Sequence, residues 1–288
     1  MRMHGPRRAL KTRRCIGMSD ANIHLERSGQ IAVVTLDRPK RLHAFNEEMF
    51  NLLEERAAEL AAALPRVIII TATGKRSFSA GFDVHPDNPM VQRIVDSVTT
   101  KDEGPARSAI ERIRRAVDAF VSLPVPIIAA LNGDAYGGGA ELAVRVDIRV
   151  MDRDAAISFS ETKLGLMPDW GGGAALARLV GASRAAELVL TARKVSADEA
   201  LSMGLVSRVC PSGGALEEAL GIASLIAENG PRAVRHALAL IRNSRNQSYD
   251  ASLEEEARRA VELIVSGECF HGVAAFLEKK KPEFPDID

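Results

Sequence analysis

The run Val67-Ile68-Ile69-Ile70-Thr71-Ala72 constrains this chain more than any other stretch. β-Branched side chains favour extended backbone, and a strand with no polar face needs cover on both sides. Pro126-Ile127-Ile128-Ala129-Ala130-Leu131 repeats the pattern. Helices are the natural cover: residues 106–123 form one long amphipathic segment, and residues 138–144 begin another directly after a glycine turn. Repeated β-turn-helix units place the chain in the α/β class.

Other elements follow from the same signals. Residues 31–36 read as a strand ending at Asp37-Arg38-Pro39, and a helix is expected over 46–63 with Asn46 as its cap. Short strands at 146–150 and 156–159 precede helices at 174–179 and 185–190. Past Pro211-Ser212-Gly213-Gly214 the chain reads as helical, near 216–228, 231–242, 253–266 and 270–280. The expected organisation is a disordered basic extension over 1–20, a catalytic core over 21–210 and a helical region over 211–288. That last region packs either on its own core or on a sister subunit.

Composition removes several function classes. The 288 residues carry 38 Lys+Arg and 38 Asp+Glu, so no whole-chain field favours nucleic acid or an anionic membrane. No run approaches the length of a membrane helix, and the basic opening from Arg2 to Arg14 has no apolar stretch behind it for a secretory signal. A basic targeting or phosphate-binding arm is the alternative reading of that opening. Cys15, Cys210 and Cys269 are far apart and cannot pair completely, which fits a reducing, cytoplasmic setting.

The six histidines show no H-E-x-x-H or close ligand cluster, so no metal site is expected. Neither Gly137-Gly138-Gly139 nor Gly171-Gly172-Gly173 has dinucleotide-loop spacing, no phosphate loop is present, and Ser77 and Ser79 lack a nucleophile elbow.

Acid/base chemistry remains. Glu141 follows one glycine turn, Glu161 sits in Phe159-Ser160-Glu161-Thr162-Lys163-Leu164, and Asp169 lies in Pro168-Asp169-Trp170-Gly171-Gly172. Singly, Glu141 also reads as a helix-end charge and Glu161 as an ion-pair partner. Apolar neighbours around Glu161 would raise its proton affinity and suit a general acid. A helix opening at Gly138 presents free N–H groups, although close packing would equally explain glycine there. Gly81-Phe82-Asp83 follows the 67–72 strand, so the Phe82 N–H is a candidate partner for that of Gly138. Two such donors would stabilise charge developing on a carbonyl oxygen by about 3 kcal/mol each.

Over residues 23–284, from Leu36-Asp37-Arg38-Pro39 through both glycine turns and Leu164-Gly165-Leu166-Met167-Pro168 to the closing helices, the chain resembles the crotonase superfamily, also called the enoyl-CoA hydratase/isomerase family. The resemblance implies a spiral of β-β-α units with a helical C-terminal trimerisation region, assembled as a homotrimer or a dimer of trimers. By it, the N–H groups of Phe82 and Gly138 form the oxyanion hole. Ala80, Asp83 and Val84 meet the adenine end of CoA, and Lys40 and Lys279 its phosphates. Glu141 orients and deprotonates water, and Glu161 delivers the α proton.

The implied reaction is reversible hydration of a trans-2-enoyl-CoA to a 3-hydroxyacyl-CoA. CoA is carried as part of the substrate, with no separate cofactor. Two departures stand out: bulky Phe82, and Asp169-Trp170 in place of Gly-Ala. Asp169 keeps open a double-bond isomerase using Glu161 and Asp169. Another CoA-thioester reaction and a non-enzymatic acyl-CoA binder are the remaining alternatives. Trp170 either narrows the pocket or packs against the final helices.

Overall fold

The computed structural model describes residues 22–287. The expected basic extension over 1–20, and Cys15 within it, lie outside the described residues.

Chain order explains the architecture. β1 (Ile23–Ser28) and β2 (Ile31–Leu36) form an antiparallel hairpin, followed by α1 (Glu47–Ala62). Next come β3 (Val67–Ala72), β4 (Ser77–Ser79), α2 (Pro89–Thr100) and α3 (Gly104–Val121). β5 (Ile127–Leu131), β6 (Asp134–Tyr136) and α4 (Gly138–Arg145) repeat the unit, as do β7 (Ile148–Asp152), β8 (Ala156–Ser158), α5 (Gly172–Val180) and α6 (Ala182–Thr191). β9 (Val195–Ser196), α7 (Ala197–Ser202) and β10 (Arg208–Cys210) close the sheets. Four helices end the chain: α8 (Ala215–Ala227), α9 (Pro231–Asn243), α10 (Tyr249–Val265) and α11 (Glu268–Leu277).

In each repeat the first strand joins one sheet and the second joins another. The larger sheet has the order β1-β2-β3-β5-β7-β10 and the smaller β4-β6-β8-β9. From β2 to β10 the larger sheet is parallel, with Val33 opposite Ile69, Ile69 opposite Ile128 and Ala129 opposite Arg149. Helices return the chain after each pair, which is the expected spiral of β-β-α units.

The two-sided cover inferred from the β-branched runs is present, with the period of two that strands impose. Ile68 and Ile70 of β3, with Ile127, Ala129 and Leu131 of β5, enter the main core. Val67, Ile69, Ile128 and Ala130 face the other way, onto Ala215, Ala219, Ala223 and Ala227 of α8. The helical region expected from residue 211 therefore shares its first helix with the core. α10 is different, burying none of its residues, and α11 packs chiefly on α10.

Asn46 caps α1 as expected, accepting from the Met49 N–H at 3.1 Å. The strand expected at 146–150 starts at Ile148, because Val146 and Asp147 form the connection out of α4. β1, β4, α2, β6, β9 with α7, and β10 had no counterpart in the sequence reading; the segment before Gly81, expected as a polar loop, contains the buried strand β4. Cys210 and Cys269 are free thiols. Among the described residues no single helix is long and apolar enough to cross a membrane.

Candidate active site

The smaller-sheet strands deliver two backbone turns to one place. At the last residue of β4, the Ser79 hydroxyl donates to the His43 carbonyl at 2.9 Å and accepts the Gly81 N–H at 3.1 Å. Gly81 has φ +84°, and a Cβ there would stand 2.6 Å from the Gly138 nitrogen. Glycine is what lets the first turn lie on the second.

Phe82 forms a parallel bridge with Phe45, in which the Phe45 N–H donates to the Gly81 carbonyl at 2.7 Å and the Asp83 N–H donates to the Phe45 carbonyl at 2.9 Å. That pattern leaves the Phe82 N–H on the opposite side of the strand. Gly138 opens α4, so its N–H has no intrahelical partner. Among the described residues, neither N–H donates to a protein acceptor.

Glu141 lies in the first turn of α4, buried, with its carboxylate turned onto the start of α5. Oε1 accepts the Asp169 N–H at 3.1 Å, and Oε2 accepts those of Trp170 and Gly172 at 2.9 and 2.8 Å. A Cβ at Gly172 would collide with Glu141 at 2.4 Å. Glu161 begins a short 3-10 turn over Glu161–Leu164. Both of its oxygens are buried and make no hydrogen bond, and a Cβ on Gly137 would lie 3.6 Å from Oε1. The Glu161 carboxyl thus faces the glycine turn without a protein partner.

The electrostatics follow from this crowding. Burial, and then the charge of Glu161, push Glu141 up to about 8, against the pull of the Gly172 N–H. Burial also raises Glu161. Asp169 goes up to about 6, through burial and then the charge of Glu161. The cluster therefore retains a proton at neutral pH. That proton is shared between the adjacent Glu141 and Glu161 carboxyls, and the three backbone donors on Glu141 favour the tautomer with the anion at Glu141 and the proton at Glu161.

Trp170 does not pack against the final helices. It is 1% exposed and stands edge-on to Phe45 and Phe50, with ring centroids 5.4 and 5.1 Å away. Its indole also backs onto Gly138, where a Cβ would come within 2.4 Å of the ring. Sequence reasoning missed Arg145, which donates to the Trp170 carbonyl at 2.8 Å and pairs with Asp118 at 2.6 Å. The signal was available: Arg145 is four residues from Glu141 and shares its helix face.

The structure thus gathers Phe82, Gly138, Glu141, Glu161 and Asp169. Ala80 is half-buried and its N–H donates to the Leu42 carbonyl, while Val84 is exposed. Asp83 is buried, with its carboxylate committed to Arg38 at 2.6 Å and to the His85 N–H at 3.1 Å. Lys40 is exposed in a 3-10 turn over Pro39–Arg41, on the segment that pairs with this region. Lys279 is exposed just past α11, on helices distinct from the elements that carry the acids.

A family model described as enoyl-CoA hydratase/isomerase matches residues 26–287. The short-chain-enoyl-CoA hydratase of Clostridium acetobutylicum is 34% identical over 274 residues, covering 91% of this chain and 97% of that protein. The crotonyl-CoA hydratase of Syntrophomonas wolfei is 33% identical over 270 residues, covering 93% and 99%. An enoyl-CoA hydratase crystal structure from Bacillus anthracis matches with a TM-score of 0.82 at 32% identity, over 91% of this chain and 98% of that one. Matched along nearly its whole described length in both sequence and fold, this chain belongs to the enoyl-CoA hydratase/isomerase family.

Proposed function

We propose that this protein is an enoyl-CoA hydratase, adding water reversibly to a trans-2-enoyl-CoA to give a 3-hydroxyacyl-CoA. The observation that carries the reading is the Glu161 carboxyl, buried and unpartnered beside the glycine turn, next to a Glu141 held by three backbone N–H groups. A thioester oxygen accepting from the Phe82 and Gly138 N–H groups would draw electrons from the β carbon. Water held between the carboxyl groups attacks that carbon. Glu141 takes the water proton, and Glu161 gives its own to the α carbon. One C–O and one C–H bond are formed for the C=C π bond and the water O–H bond lost, and return of the proton from Glu141 to Glu161 resets the pair.

CoA enters as part of the substrate, and the reaction needs no separate cofactor. Lys40 and Lys279 are assigned to its phosphates, and Ala80, Asp83 and Val84 to the region that meets its adenine end. We place the enzyme in the cytoplasm as a homotrimer or a dimer of trimers. The support for assembly is the C-terminal helices, where Val265 and Phe276 are each 80% exposed.

Asp169 favours a second reading. Its raised proton affinity beside Glu161 suits abstraction and redelivery of a proton along an acyl chain, which moves a double bond without adding water. The purified protein should be given a short trans-2-enoyl-CoA and, separately, a 3-enoyl-CoA, with mass and absorbance followed. Gain of one water from the first supports the hydratase. A mass-neutral shift of the second without hydration moves the assignment to an isomerase, and binding without either reaction leaves an acyl-CoA binder.

A further inference from the structure

Trp170, the only tryptophan of the chain, touches Glu141 and Gly138 directly and reaches the strand of Phe82 through Phe45, without being one of the acids or amide donors. Its backbone N–H is held by Glu141 at 2.9 Å and its carbonyl by Arg145 at 2.8 Å. Arg145 reaches on to Asp118 of α3 and packs against Gly171, where a Cβ would lie 3.3 Å from the guanidinium. Two residues one turn apart on α4 thus grip the turn that carries Trp170. The ring continues the connection, for its benzo edge lies against Gly138, the first residue of α4. Its other neighbours are Phe45 and Phe50, and the Phe45 backbone holds the strand that presents the Phe82 N–H.

We propose that Trp170 is a positioning residue that sets the two amide donors against Glu141, a role that rests on the hydratase/isomerase reading. The ring fixes where Gly138 and the Phe45–Phe82 bridge stand, and the backbone fixes the carboxylate. Donor geometry governs charge stabilisation steeply, so a small settling of Gly138 toward a vacated indole site weakens the oxyanion hole even while the fold persists. A residue that only filled the core would lower stability and leave thioester polarisation unchanged.

Trp170→Phe, Trp170→Ala and Arg145→Met in the full chain separate these roles. The readouts are thermal unfolding by circular dichroism, kcat and KM with a short trans-2-enoyl-CoA, and near-ultraviolet absorbance of bound acetoacetyl-CoA. The enolate of that ligand reports charge stabilisation at the thioester. Trp170→Ala is expected to lower kcat about 100-fold with KM changed less than about threefold, and to lose most of the enolate signal. Trp170→Phe, which keeps a ring on Gly138, is expected to recover about tenfold of that loss, with Arg145→Met falling between wild type and Trp170→Ala.

A folded Trp170→Ala with wild-type kcat and enolate signal overturns the inference. Should Trp170→Ala not fold, Trp170→Phe decides it: a folded Phe variant with wild-type values overturns the role, and one with reduced kcat and enolate signal at unchanged KM supports it. A wild type that neither turns over an enoyl-CoA nor forms the enolate overturns the functional reading, and this inference with it.

Discussion

At the residue scale, Glu141 and Glu161 are the same side chain under opposite constraints. The Glu141 oxygens accept three backbone N–H groups, whereas those of Glu161 accept none. Glu141→Gln turns an amide NH₂ toward a backbone N–H and should destabilise the fold by about 1–3 kcal/mol. Glu161→Gln removes the charge that crowds Glu141, so its denaturation midpoint above neutral pH should equal or exceed that of wild type. Both should lower turnover by about 10²–10⁴-fold with substrate binding largely kept, and unchanged turnover in both would exclude the hydratase. Gly138→Ala drives a Cβ into the indole and should cost about 10²-fold in kcat as the amide donor moves. The three acids and the two amides were legible as candidates in the sequence. The apolar neighbours of Glu161 already pointed to a raised proton affinity, but its placement against Gly137 and the absence, among the described residues, of any backbone donor to its oxygens were not legible, because they depend on a separate element.

At the element scale, α4 carries one amide donor and one acid, and both of its ends are held from outside. Its C-terminal end is capped by Arg149 of β7, buried, which donates to the carbonyls of Val146 at 2.6 Å and Leu205 at 2.8 Å. Arg149→Met leaves those carbonyls without a donor, and urea unfolding should show a loss of about 2–4 kcal/mol. Long periodic elements such as α1, α3 and β3 were readable because each shows its period over enough residues. β9 and β10, at two and three residues, exist only through their partners. α2 was readable and was missed: Asn88-Pro89 gives its start, with the cap accepting from the Met90 N–H, and Met90, Val91, Ile94, Val95 and Val98 recur at helical spacing.

For the whole molecule, pH reports on the acid cluster. A carboxyl whose pKa is raised by folding binds its proton more tightly in the native state, so stability falls as pH rises from the unfolded value toward the folded one. Glu141 spans 4.5 to about 8 and Asp169 spans 3.8 to about 6. His43, lowered from 6.5 by burial, acts oppositely below that value. Between about pH 7 and 8 the Glu141/Glu161 pair therefore dominates and should remove about 1 kcal/mol per pH unit. Thermal scans should show a falling midpoint there, flattened in Glu161→Gln, and turnover should decline over the same range as the acid form is lost. The apolar faces of α10 and α11 belong to this scale too. Val265→Glu with Phe276→Glu should convert the proposed trimer to monomer in size-exclusion chromatography, whereas an unchanged elution volume would place the interface elsewhere.

The sequence by itself determined the α/β class, since runs such as Val67–Ala72 carry their burial requirement in their own side chains. Through its glycine-flanked acids it also marked the candidate residues. Only the tertiary structure decided that the Phe82 and Gly138 N–H groups both stay free, that Glu161 has no partner, and that Trp170 lies under Gly138 and away from the C-terminal helices. Periodicity and turn chemistry are properties of neighbours along the chain. A donor's freedom, a carboxyl's proton affinity and an indole's contacts depend on residues far apart in sequence, and only the folded backbone brings those together.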